Sequence, residues 1–100
     1  MSNVDTQWIP CQIENTGFSG ERRFEVTFPE KSKAVGTASV QYFQTTKGEK
    51  IQDEFPAYGE SASGRIQCRV LRRFEDGSLA VEFPSSDVFH VPSEALVDDH

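Results

Sequence analysis

Apolar and polar residues alternate with a period of two through much of this chain, the signature of strands that bury one face. Trp8-Ile9-Pro10-Cys11-Gln12-Ile13-Glu14 places Ile9, Cys11 and Ile13 on one side. Arg23-Phe24-Glu25-Val26-Thr27-Phe28 turns Phe24, Val26 and Phe28 inward, and Arg65-Ile66-Gln67-Cys68-Arg69-Val70 does the same with Ile66, Cys68 and Val70. Leu79, Val81 and Phe83 form the inward set of a further run. Ala38-Ser39-Val40-Gln41-Tyr42-Phe43 and Val88-Phe89-His90-Val91 are two more strand candidates with less regular alternation. No ten-residue stretch carries apolar residues at helical spacing. The nearest is Pro92-Ser93-Glu94-Ala95-Leu96-Val97, where Pro and Ser suit the entry to one helical turn. The pattern predicts an all-β fold.

Turn residues fall between these runs. Asp76-Gly77 is a strong hairpin signal, Lys47-Gly48 follows the third run, and Gly17-Phe18-Ser19-Gly20 separates the first two. Pro29 and Pro84 each end a strand by withholding a ladder donor, and Pro10 implies an edge or a bulge. Residues 45–63 show no period and read as one long loop, a length that is uncommon in compact domains.

The runs also resemble each other in pairs. Ile9-Pro10-Cys11-Gln12-Ile13 matches Ile66-Gln67-Cys68-Arg69-Val70, and Val26-Thr27-Phe28-Pro29 matches Val81-Glu82-Phe83-Pro84. Two pseudo-repeated three-strand meanders, residues 8–43 and 65–97, would then share one core, because three strands cannot close a core alone. The alternative is chance similarity between short apolar strands. Residues 64–97, with a strand, an Asp-Gly hairpin, a strand ending in Phe-Pro, a short strand and then Val91-Pro92-Ser93-Glu94, resemble the end of SH3-like small barrels. The resemblance implies a small barrel of six or seven short antiparallel strands, with a 3₁₀ turn near the C-terminus and a binding role. It singles out no specific family, and the usual aromatic peptide-groove motif is missing.

Composition narrows the function classes. One hundred residues make one domain, and a formal charge of −6 works against general polyanion binding. No apolar run approaches the roughly 20 residues of a membrane helix, so no membrane partner is expected. The start, Met1 to Gln7, lacks the basic and apolar regions of a secretion signal, and two cysteines are too few for a disulfide framework. A reducing cytoplasm is therefore the expected compartment.

Chemistry-bearing residues are sparse. Cys11 and Cys68 share faces with apolar neighbours, so core packing is the expected role ahead of a disulfide, a metal or a thiol paired with His90. His90 reads as a surface residue if Val88 faces outward, and as a hydrogen-bonded core residue otherwise. No cofactor, metal site or catalytic group is expected. The arginines cluster: Arg65, Arg69 and Arg73 fall on the outward face of one strand beside Arg72, while Arg22 and Arg23 begin another. Glu82, Glu75 and Asp76 are placed to neutralise the first group in a cross-strand ladder. Phe18 between glycines is either an anchor for a partner or a cap folded over the barrel end, the latter being favoured. Phe55 and Tyr58 should tack down the long loop. The expected function is a non-catalytic adaptor that binds another protein, with Arg23, Arg65, Arg69, Arg73, Phe18, Phe55 and Tyr58 as candidate contact residues. Binding of nucleic acid along the arginine stripe is the alternative.

Overall fold

A computed structural model describes residues 5–95. Seven strands follow one another: β1 (Thr6–Glu14), β2 (Glu21–Thr27), β3 (Lys33–Ser39), β4 (Phe43–Thr45), β5 (Ser61–Arg73), β6 (Leu79–Glu82) and β7 (Val88–Val91). They curl into a nearly closed small barrel, all antiparallel, in the order β3-β2-β1-β5-β6-β7 with β4 also on β5. The 3₁₀ turn anticipated near the C-terminus is Ser93–Ala95. The remainder of that predicted turn, Leu96 and Val97, lies outside the described residues.

Strand order is symmetric about the β1–β5 pair. Those two strands run antiparallel from Thr6↔Arg69 to Glu14↔Ser61, with Ile9 opposite Ile66. Each begins a three-stranded meander, and a 3₁₀ turn follows each meander (Val40–Tyr42 and Ser93–Ala95). Aromatic rings join the halves. Phe24 stacks on Phe83 at 5.5 Å between centroids, and Phe28 meets Phe89 at 5.6 Å. Each ring buried this way gains roughly 2–3 kcal/mol over exposure, so each meander supplies the surface that covers the other.

The predicted inward sets occupy the core, except Val70, which packs against it only partly buried. Ile9, Cys11, Ile13, Phe24, Val26, Phe28, Ile66, Cys68, Leu79, Val81 and Phe83 are all buried. The third strand differs from expectation. It runs Lys33–Ser39, Val40–Tyr42 forms the 3₁₀ turn, and Phe43 starts β4. Its inward residues are Ala34, Gly36 and Ala38, too small to stand out as a hydrophobic period. Space is tight at Gly36, where a Cβ would lie 3.0 Å from both the Phe24 ring and the Ser85 Cβ. The loop is also shorter than expected, since Ser61–Ser63 already pair with β1.

Four turns share one hydrogen-bond scheme. In Phe28–Ser32, Thr45–Glu49, Phe74–Ser78 and Phe83–Asp87 the first amide donates to the fifth carbonyl at 2.8–3.0 Å, and the fourth amide donates back to the first carbonyl. The fourth residue is left-handed in each, with φ of 73° at Lys31, 84° at Gly48, 89° at Gly77 and 76° at Ser86. Gly adopts that conformation freely, whereas Lys and Ser carry a Cβ into it. Ser86→Gly is therefore expected to stabilise the fold by about 0.5 kcal/mol, the relief of strain exceeding the entropy that glycine loses on folding. The midpoint of urea unfolding checks this, and an unchanged or lower midpoint would contradict it.

Candidate functional site

The connection from residue 46 to residue 60 is held from beneath by a buried charge. Arg22 is in phase with Phe24 and Val26 on β2, so its side chain points inward, and the residue is only 2% exposed. Its guanidinium meets no carboxylate there. Nε donates to the Phe55 carbonyl at 3.0 Å, Nη1 to the Glu21 carbonyl at 2.7 Å, and Nη2 to the Asp53 carbonyl. Three backbone dipoles thus take the place of a counter-ion. Asn15 binds the far side of the same loop: its side-chain amide donates to the Pro56 carbonyl at 3.0 Å, and its backbone exchanges bonds with Gly59 and Glu60. Ile51 and Pro56 are buried, and Phe55 packs against the core. This connection is a fitted part of the barrel end, not a solvated tether.

Tyr58 projects from that anchored backbone, and Phe18 projects from the neighbouring β1–β2 hairpin. Tyr58 is 75% exposed and Phe18 68%. The expectation that Phe18 folds back over the barrel is therefore incorrect. Phe18 lies in a tight turn in which the Glu21 amide donates to its carbonyl at 3.2 Å, with Gly20 at φ 77°, and this geometry carries the ring outward. Tyr58 does not tack down the loop by burial either. One edge of its ring lies on Gly17, where a Cβ would come within 2.5 Å of Cε2, and the rest faces solvent. The hairpin carrying Phe18 and the loop carrying Tyr58 are thus brought to the same end. Phe55, the third predicted aromatic, is half-buried and contributes its carbonyl to Arg22.

The arginine stripe is not continuous. A bulge between Val70 and Arg72 inserts one residue into β5, so Arg69 faces Glu82 while Arg72 faces Ala80 and Arg73 faces Leu79. The outward phase passes from Arg69 to Arg72, and Arg73 shifts to the phase of the inward-facing Leu79 at the barrel rim. Acids occupy most of the exposed guanidinium groups. Arg69 pairs with Glu82 at 3.8 Å, Arg23 with Glu14 at 3.5 Å, and Arg73 with Asp5. Arg65 donates to the Thr46 carbonyl at 2.8 Å, and Arg72 lies over the Phe74 ring at 5.1 Å. Of the acids expected to join this ladder, Glu82 does so. Asp76 instead accepts bonds from the Ser78 hydroxyl and backbone amide.

Those two bonds, the hydroxyl first, hold the Asp76 carboxyl below the usual range. A depressed carboxylate adds stability above its ordinary value near 4, and that stability is lost as pH falls through the folded value. The acid limb of the unfolding curve should therefore be shallower in Asp76→Asn than in the parent, measured by urea titrations between about pH 2 and 5. Equal slopes would show that Asp76 contributes nothing there.

His90 faces outward opposite Ala80, on the surface side of the two readings. Its Nε2 lies 2.8 Å from Ser78 Oγ, and Phe74 meets its ring edge-on at 5.3 Å. Both cysteines are free and point inward, so the barrel wall separates them from this histidine. Cys11 pairs with Gly64 and Cys68 with Gln7, which sets them four positions apart on the β1–β5 ladder. Burial pushes the Cys11 thiol up to about 12 and that of Cys68 higher still. Labelling of both thiols in the native protein should be at least about a thousandfold slower than in urea, because it must wait for global opening. Rapid native labelling would mean that a strand opens locally. The terminal residues 98–100 lie outside the described residues. Among the described residues, no three His, Cys, Asp or Glu side chains cluster as a metal site, and no helix is long and apolar enough to cross a membrane.

One groove, of about 330 Å³, lies on the barrel wall where β5 changes partners. On that edge β4 covers Gly64–Ile66 and β6 begins at Arg69, so Gln67 and Cys68 have no strand opposite. Tyr42, Gln67, Arg69, Glu82 and Pro84 line it. Sequence patterning could not locate this gap, which arises only where two short strands share one long edge.

Compared with known proteins, the chain matches no family model, and no curated protein or solved structure is significantly similar to it.

Proposed function

We propose that this chain is a non-catalytic protein-binding module that uses the barrel end carrying Phe18 and Tyr58. The observation behind this reading is the exposure of two large aromatic rings at one barrel end, Tyr58 on a loop held from below by Arg22 and Asn15 and Phe18 on the adjoining hairpin turn. Large aromatic side chains dominate binding hot spots, and backbone already fixed beneath them lowers the ordering cost of docking. Nucleic-acid binding draws less support, since Arg23, Arg69 and Arg73 each face a carboxylate. Site-specific photo-crosslinking tests the proposal. A benzophenone amino acid at position 18 or 58 should trap one defined protein in cells, whereas the same group at the exposed Val88 should not. Adducts that are diffuse, or equal at all three positions, would overturn it.

A further inference from the structure

We infer that the partner offers this end a basic segment, with a Lys or Arg side chain lying against the Phe18 and Tyr58 rings. The inference rests on the protein-binding reading above and adds the chemistry of what docks. Both rings present largely free faces, and an aromatic face attracts a cation through its quadrupole. Acids predominate around the rings, although Lys47 and Lys50 lie earlier in the same connection. Glu21, Asp53, Glu54 and Glu60 are all exposed on the two segments that carry the rings. No lysine occurs in residues 14–23 or 51–60. Of the two arginines there, Arg22 is buried beneath the loop on carbonyl oxygens and Arg23 is paired with Glu14. None of the four carboxylates meets a cation within 4 Å among the described residues.

Charge complementarity decides between occupants. An acidic segment would meet like charge. A purely apolar one would cover the rings while stripping water from neighbouring carboxylates without replacing it. A second copy of this chain would bring the same four acids and a net charge of −6. A basic side chain satisfies both features at once, its alkyl stem and cationic head against a ring and its N–H groups toward the acids. The site is preorganised for this, because Tyr58 rests on Gly17 and Asn15 ties that hairpin to Pro56, Gly59 and Glu60.

The full chain, labelled with ¹⁵N, would be titrated with octapeptides that alternate Gly with Lys, Gln or Glu. The Lys peptide should shift amides of residues 14–22 and 51–60, and the other two should not. Phe18→Ala/Tyr58→Ala keeps every charge, yet its affinity for the Lys peptide should fall at least about fivefold. Glu54→Gln/Glu60→Gln keeps both rings and should also bind more weakly, with a flatter salt dependence. All four positions are exposed, so the variants should melt like the parent. Equal binding of Lys and Gln peptides would overturn the inference, as would undiminished binding by the aromatic double variant, which would reduce the effect to net charge. A crosslinked partner whose trapped segment is not basic would overturn it while leaving the protein-binding reading intact. Loss of the crosslink altogether would overturn both.

Discussion

Arg22→Met is expected to lower the free energy of unfolding by about 3 kcal/mol, the balance of two opposing effects. Met keeps most of the buried stem volume, so the change isolates the guanidinium. Removing a buried cation relieves its desolvation, which taken alone would favour the variant. Against this, the carbonyls of Glu21, Asp53 and Phe55 lose their donor. Each charge-assisted bond contributes about 1.5–3 kcal/mol, and an acceptor left unpaired in a dry site costs about 1–3 kcal/mol. Three such bonds outweigh the relief, although water will reach the edge of the exposed loop and recover part of the loss. Arg22→Lys retains the charge but cannot span three acceptors with one ammonium, so it should fall between Met and the parent. Urea unfolding measures both variants. Hydrogen exchange should show residues 52–60 losing protection ahead of the β1–β5 ladder. A Met variant within 1 kcal/mol of the parent would mean that the loop is held by Asn15 and Ile51 alone.

The second large effect lies at the centre of the sheet. Gly64 faces Cys11 on β1 and Thr45 on β4, so strands flank it on both sides. A Cβ there would lie 2.4 Å from Ile13 Cδ1 and 2.6 Å from the Gln44 carbonyl oxygen. The first clash could be eased by another rotamer, but Ile13 is fully buried in filled space. The second involves backbone and can be relieved only by moving β4. Gly64→Ala should therefore destabilise by about 3 kcal/mol, a Tm loss of at least about 12 °C for a domain of this size. Adding Ile13→Val removes Cδ1 and should recover less than half of the loss, because the Gln44 contact remains. Full recovery would show that the side chain, not the strand, is the obstacle.

The legible and hidden parts of this protein divide along physical lines. Period-two runs such as Phe24-Val26-Phe28 and Leu79-Val81-Phe83 could be read directly, because a strand's side-chain alternation is local and each inward residue is large and apolar. β3 was hidden, since its inward residues Ala34, Gly36 and Ala38 are small, Gly36 lying close against the Phe24 ring. Arg22 was legible in principle: it continues the inward phase of Phe24 and Val26, but a cation in that phase is readily assigned to the surface. The arginine stripe failed at one residue, as alternation cannot announce the bulge at Val70–Arg72 that hands the outward phase to Arg72.

For the candidate site, the chain alone marked Phe18 and Tyr58 as notable but favoured packing roles for both, whereas both rings face solvent. That depends on contacts between residues 41 and 33 positions apart, Asn15 with Pro56 and Arg22 with Phe55. The all-β class, most of the core and the glycine turns were determined locally, by alternation and by glycines suited to left-handed backbone. Which aromatic residues end in the core and which in water was decided only when two distant segments closed on each other, because exposure is a property of what packs above a side chain and not of the side chain itself.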